Sequence, residues 1–168
     1  VTAPACSRGQ AERQVALSQR RFAMDDSART NERWDVPIVV STIGGEPARS
    51  LMPTNAAPQI AVGCAPYIVN AGQSGFFRVK YDDANFNALT ARFSELGDID
   101  QLGLLLDYYA FGRSGDASFT NYLDLVNVLP ADADPVIVMD TAASVAAFAA
   151  YTHDRPSAEA VRAYGRRV

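Results

Sequence analysis

The chain has 168 residues, of which 48% are hydrophobic and 20% charged, with a formal net charge of −4. That is a folded polypeptide with room for one ordinary domain or two small ones. The acidic balance argues against a nucleic-acid binder, which carries a basic face, and no apolar run approaches the roughly 20 residues that span a bilayer.

At the start, Val1 stands where an initiator methionine would, and "VTAPACSRG" has neither the charged nor the apolar region of a signal peptide. The expectation is a piece of something longer. Cys6 and Cys64 lack the neighbours of a zinc knuckle or a redox pair. They are read as two separate buried thiols, with a disulfide as the alternative for an exported parent.

Residues 1–81 have the period of β structure. "ERQVALSQRRF" puts Val15 and Leu17 on one side, and "WDVPIVVSTI" alternates Val36, Ile38 and Val40, with Pro37 marking an edge or a strand start. Residues 48–58, "ARSLMPTNAAP", read as an irregular loop, and "PQIAVGC" supplies Ile60 and Val62. "PYIVN" and "FFRVKY" flank the loop 71–75 and predict a hairpin. In its second strand Phe77, Val79 and Tyr81 share the inward face, while Phe76, Arg78 and Lys80 share the other, a solvated or interdomain face. Several short strands between turns predict a β-sandwich.

From Asp82 the period changes to that of helices. Phe86, Leu89, Phe93 and Leu96 form one stripe, stopped by Gly97. Asp98, three residues before Gln101, predicts an N-cap with a capping-box partner. The helix that follows should turn Leu102, Leu105, Leu106 and Tyr109 inward and end near Gly115. A third buries Phe119, Tyr122, Leu123, Val126 and Leu129 before Pro130. Asp134-Pro135 starts a long alanine-rich fourth, and Pro156 opens a fifth through Val161 and Tyr164. The fold class is thus α+β in sequence order, an antiparallel β-sandwich (1–81) followed by an all-α helical-hairpin segment (82–168).

Catalytic machinery is sparse in the residues. A zincin needs two histidines one helical turn apart, and His153 is the single histidine; it reads as a residue placed against a helix C-terminus. "GQSG" and "GRSG" place Ser74 and Ser114 outside the strand–turn–helix setting of a serine elbow. The loop 71–75 joins two predicted strands, so no helix N-terminus follows it to hold phosphate. Asp98, Asp116, Asp132 and Asp134 each precede a helix and are read as caps. An independent ligand-binding module would need an aromatic platform, for which Trp34, Phe76 and Tyr67 are the candidates. On its residues alone the chain reads as a binding or structural unit.

"VALSQRRF", "WDVPIVVST" and "IVNAGQSGFFRVKYDDANFNAL", in that order, resemble the β-sandwich domain of the M1 family of zinc aminopeptidases. The residues that carry the resemblance are Gln19, Arg21 and Phe22; Trp34, Val36 and Pro37; and Asn70, Gly75, Phe76, Phe77, Arg78, Val79 and Tyr81. "LLLDYYAFGRSGDASFTNYLDLVNVLP" looks like the first helices of the family's C-terminal helical domain. The family often has an arginine where Gln101 stands. The resemblance implies a parent that removes N-terminal residues from peptides with zinc held in another domain. It therefore assigns this chain no catalytic, metal or cofactor-binding residue. The implied partners are the catalytic domain and remaining helices of the same parent and its peptide substrate, with no nucleic acid and no membrane. An inactive relative that keeps the architecture for protein interaction is the alternative.

Overall fold

The computed structural model describes residues 1–155 and 158–166, with strands first and helices after. The strands are β1 (Glu12–Ala16), β2 (Val36–Thr42), β3 (Ala48–Met52), β4 (Gln59–Gly63) and β5 (Tyr67–Val69). Both sheets are antiparallel, one pairing β1 with β4 and the other ordered β3-β2-β5. The period of two decides the burial: Val15, Ile38, Val40, Ile60 and Val62 go inward, whereas Gln14, Gln59 and Ala61 are exposed. Pro37 is the second residue of β2, where β3 is the only partner, because β5 reaches no further than Val40. A residue without an N–H is tolerated at such a place.

The helices are α1 (Asp83–Ala91), α2 (Asp98–Ser114), α3 (Phe119–Asn127), α4 (Pro135–Tyr151) and α5 (Ala158–Gly165). The stripe Phe86, Leu89, Phe93 and Leu96 is buried throughout, although α1 ends at Ala91 and Phe93–Glu95 turn as a 3-10 helix. Gly115, with φ of 78°, closes α2 in the left-handed conformation. Asp134 accepts from the Val136 N–H at 2.7 Å and Pro135 opens α4. The predicted opening of the fifth helix at Pro156 lies outside the described residues. Buried side chains from strands and helices form one continuous cluster, running from Val15 and Ile60 through Tyr67 and Tyr81 to Phe86, Leu105 and Leu125.

The packing corrects several expectations. Cys6 and Cys64 are not separate thiols but a disulfide with Cα atoms 5.8 Å apart. The β1–β4 register explains it, since Glu12 lies opposite Gly63 and brings the two neighbourhoods together. The stretch read as a loop begins with strand β3. The predicted hairpin does not form: β5 pairs with β2, Phe76 lies in a bend, and residues 77–81 pair with neither strand. At α2 the N-cap is Gly97, Asp98 is the first helical residue, and the Gln101 Nε2 donates to the Leu96 carbonyl at 2.8 Å.

The inward face of α2 is Leu104, Leu105, Tyr108 and Phe111, with Leu106 exposed. The run "LGLLLDYYAF" offers two overlapping apolar faces. Both are used: Tyr108 and Phe111 meet Phe86 and Phe22, while half-buried Tyr109 meets Phe119 and Tyr122 of α3. In α3 the fully buried residues are Tyr122, Leu125 and Val126, with Phe119 and Leu123 half-buried, as is Leu129 just beyond its end. Ser118, not Asp116, caps α3, and Asp132 is exposed ahead of the true α4 cap.

Candidate functional site

Of the resemblance-bearing residues, Phe22, Asn70, Gly75, Arg78, Val79 and Tyr81 lie at the seam between strands and helices. After β5 the chain must turn sharply, and Asn70 does this with φ of 66° and ψ of 33°. That left-handed backbone suits asparagine better than most residues. Its side chain closes the turn: Oδ1 accepts from the Gly75 N–H at 2.8 Å and Nδ2 donates to the Gly75 carbonyl at 2.9 Å. A Cβ on Gly75 would lie 2.2 Å from the Phe77 ring and 3.0 Å from Asn70 Oδ1, so glycine alone fits without displacement. The Gly72 N–H reaches across to Asp100 of α2 at 2.8 Å. Ser74 sits exposed in this turn.

The turn delivers Phe76–Tyr81 along α2, and α2 receives it with side chains. The Val79 N–H donates to Asp107 Oδ2 at 2.7 Å, and the Arg78 guanidinium donates to Oδ1 at 3.2 Å. The Tyr81 N–H donates to the Tyr108 hydroxyl at 3.3 Å. The alternation read from the sequence holds here, with Val79 and Tyr81 buried and Phe76 fully exposed. The Tyr81 hydroxyl lies between the N–H and carbonyl of Val69, at 2.9 and 3.3 Å. Asn85 of α1 does the same for the Tyr67 backbone, at 3.2 and 2.8 Å. Side chains thus satisfy backbone groups that a ladder would otherwise take.

Burial pushes the Asp107 carboxyl up to about 6, against the Val79 N–H and the Arg78 guanidinium, which favour its charged form. Burial likewise pushes the Tyr81 hydroxyl well above the usual phenol range. The guanidinium of Arg78 lies over the Phe22 ring, 5.2 Å from its centroid, and Phe22 meets Phe111 edge-on at 5.9 Å. Phe22 therefore belongs to the same seam although it lies far away in sequence.

A second tie is made by Asp116, in the turn between α2 and α3. Arg20 and Arg29 both pair with its Oδ1, Arg29 at 2.8 Å, and Ser114 Oγ donates to Oδ2 at 2.9 Å. Lys80 donates to its carbonyl. Burial works to raise this carboxyl, but the hydrogen bonds from Arg29, Arg20 and Ser114 outweigh it and hold it below its ordinary value. Arg78 and Lys80, though exposed, thus bond to α2 and to the turn after it.

The remaining motif residues organise the segment between β1 and β2. Gln19 binds the Trp34 backbone twice: Nε2 donates to the carbonyl at 2.8 Å and Oε1 accepts from the N–H at 2.9 Å. Arg21 pairs with Glu32 at 2.6 Å in an exposed bridge, and the Trp34 ring is half-exposed. Between Leu17–Phe22, the start of β2 and Ser74–Asp82 runs a groove of about 1070 Å³.

The arrangement can hold segments together. Ser114 Oγ donates to Asp116, a carboxylate whose other oxygen is already paired with Arg20 and Arg29. His153 follows α4, with Nδ1 donating to the Ala150 carbonyl at 2.8 Å and Nε2 beside Asp154 at 2.7 Å. Among the described residues no three His, Cys, Asp or Glu side chains are grouped to hold a metal ion. Zinc, which the resemblance implies for the parent, therefore finds no fitting donor set in these residues.

Asp107, Asn85 and the hub role of Asp116 were not read from the sequence. For Asp107 a signal was present: a carboxylate in the middle of the apolar run "LLLDYY" demands a partner if that face is buried.

Residues 66–168 match the model of the ERAP1-like C-terminal domain. The chain belongs to that family. Over 129 residues it is 34% identical to the Tricorn protease-interacting factor F2 of Thermoplasma acidophilum, covering 77% of this chain and 16% of that protein. It is 31% identical over 132 residues to aminopeptidase N of Plutella xylostella, 70% of this chain and 14% of the relative. It is 30% identical over 124 residues to the puromycin-sensitive aminopeptidase of Caenorhabditis elegans, 66% and 13%. These matches place the chain with the M1 aminopeptidases. It spans about one sixth or less of the length of these curated relatives.

Proposed function

We propose that this chain is a non-catalytic, interdomain region of a zinc-dependent M1 aminopeptidase whose parent removes N-terminal residues from peptides. The observation that carries the reading is the seam. Of the residues that carry the resemblance, Phe22, Asn70, Gly75, Arg78, Val79 and Tyr81 make structural bonds or packing contacts there, and Gln19 ties the segment ahead of β2. In this reading the strand region 1–81 braces the catalytic domain, and the helical region 82–168 begins the array that limits peptide access. The outer face of α4 supports the second half of that statement. Val136, Met139 and Tyr151 are exposed there beside the alanines, an apolar surface suited to further helices of the same parent.

The test is an aminoacyl-naphthylamide assay on the parent and on this chain, each stripped of metal and then supplied with zinc. The expected result is zinc-dependent hydrolysis by the parent and none by this chain. Hydrolysis by this chain alone would overturn the proposal. A parent that lacks activity would favour the inactive, protein-interaction relative.

A further inference from the structure

We propose that the groove beside Val1 is the seat of one further β-strand, contributed by the residues that precede Val1 in the longer parent chain. The inference rests on the reading of this chain as part of a longer protein, and the bonds around Val1 carry it. The Val1 nitrogen donates to the Lys80 carbonyl at 2.8 Å, and the Asp82 N–H donates to the Val1 carbonyl at 3.0 Å. Those two bonds are the pattern of a parallel bridge centred on Tyr81. On the other side, Thr2 and Ala16 exchange both of their bonds, at 3.1 and 2.8 Å, in an antiparallel bridge. Val1 and Thr2 are therefore already the end of a strand lying between β1 and Phe76–Tyr81. The far edge of β1 is taken by β4.

The backbone alternation continues this pattern into the groove. The N–H groups of Val79 and Tyr81 point to α2, where Asp107 and Tyr108 accept them. Arg78 and Lys80 consequently turn their N–H groups to the side that Val1 occupies. Among the described residues, neither N–H has a protein partner, nor has the Arg78 carbonyl. The opposite wall behaves alike. The Leu17 N–H is spent on the Pro58 carbonyl at 3.1 Å, so Ser18 and Arg20 present their backbone to the groove.

A strand running back from Val1 meets both rows in register. The residue immediately ahead of Val1 falls opposite Ser18. The residue two ahead accepts from the Lys80 N–H and donates to the Arg78 carbonyl. Leu17, Ile38, Met52, Val79 and Phe111 line the groove, so the inward side chains of the added strand are apolar. At about 3.3 Å per residue, walls of this length hold roughly five residues. An open edge of this kind is a template for strand addition.

The test is amide hydrogen exchange at single-residue resolution on the full parent chain. The expected result is alternation: Ser18, Arg78 and Lys80 exchange at least about tenfold more slowly than Phe77, whose N–H faces away from the groove. Replacing the residue two ahead of Val1 by proline should speed exchange at Lys80 by at least about tenfold while α2 stays protected. Uniform exchange over residues 76–80, fast or slow, would overturn the strand, as would a proline variant with unchanged protection. Peptidase activity of the parent reads out separately. An active parent without alternation sinks the strand alone, and an inactive parent with alternation sinks the functional reading alone.

Discussion

The strand region and the helical region satisfy their backbones in different ways. In α1–α4 nearly every interior N–H is bonded within its own helix, and capping residues such as Ser118 and Asp134 deal with the ends. The strands depend on distant partners, and where ladders end the chain borrows side chains: Asn85 for Tyr67, Asp107 for Val79, Tyr108 for Tyr81. A seam built this way is no linker. The two regions hold each other's polar groups and share one core, so damage on one side should be felt on the other.

The largest effect expected is on the strand side. Replacing Cys6 or Cys64 by serine opens a disulfide that spans 58 residues. Loop-closure entropy puts the loss at about 4 kcal/mol, measured as the difference in denaturant stability between oxidised protein and variant. Next comes Asn70→Ala, which removes three side-chain hydrogen bonds at a buried, left-handed position. It should cost about 3 kcal/mol, whereas Ser74→Ala, four residues on, should stay within about 0.5 kcal/mol. Equal effects of the two substitutions would mean that the turn is not held by Asn70.

Asp107→Ala comes next, with about 2 kcal/mol for an orphaned Val79 N–H. Its pH dependence is the sharper test. Folding raises this carboxyl to about 6 from 3.8, so the folded state holds the proton more tightly than the unfolded state. The stability linked to Asp107 is therefore full below about pH 4 and is lost as pH rises to about 6, by roughly 3 kcal/mol. Asp107→Asn keeps an acceptor for Val79 and should lack that slope in urea titrations between pH 4 and 6. An identical slope in the variant would assign the effect to another group.

How much of this was legible follows from the reach of each signal. Helix content, the Asp134-Pro135 start and the Gly115 stop are local, and they were legible. The inward faces of the strands were legible too, because a period of two needs no knowledge of the partner. Which strand pairs with which was not. The spacing of "PYIVN" and "FFRVKY" predicts a hairpin, but the left-handed Asn70 and the acceptors on α2 redirect the second segment. The disulfide was hidden for the same reason, since the β1–β4 register that brings Cys6 to Cys64 is a long-range fact. Of the seam, the sequence offered Arg78, Val79 and Tyr81, whereas Asp116 looked like an ordinary helix cap and the signal at Asp107, a carboxylate within an apolar run, went unread.

The most direct test of a shared seam is equilibrium unfolding followed with two probes. Trp34, the single tryptophan, reports on the strand region by fluorescence, and far-ultraviolet circular dichroism reports on the helices. One coincident transition is expected, with Asp107→Ala lowering both midpoints together. Two separate transitions, with Asp107→Ala moving only the helical one, would contradict a core shared between the strands and the helices.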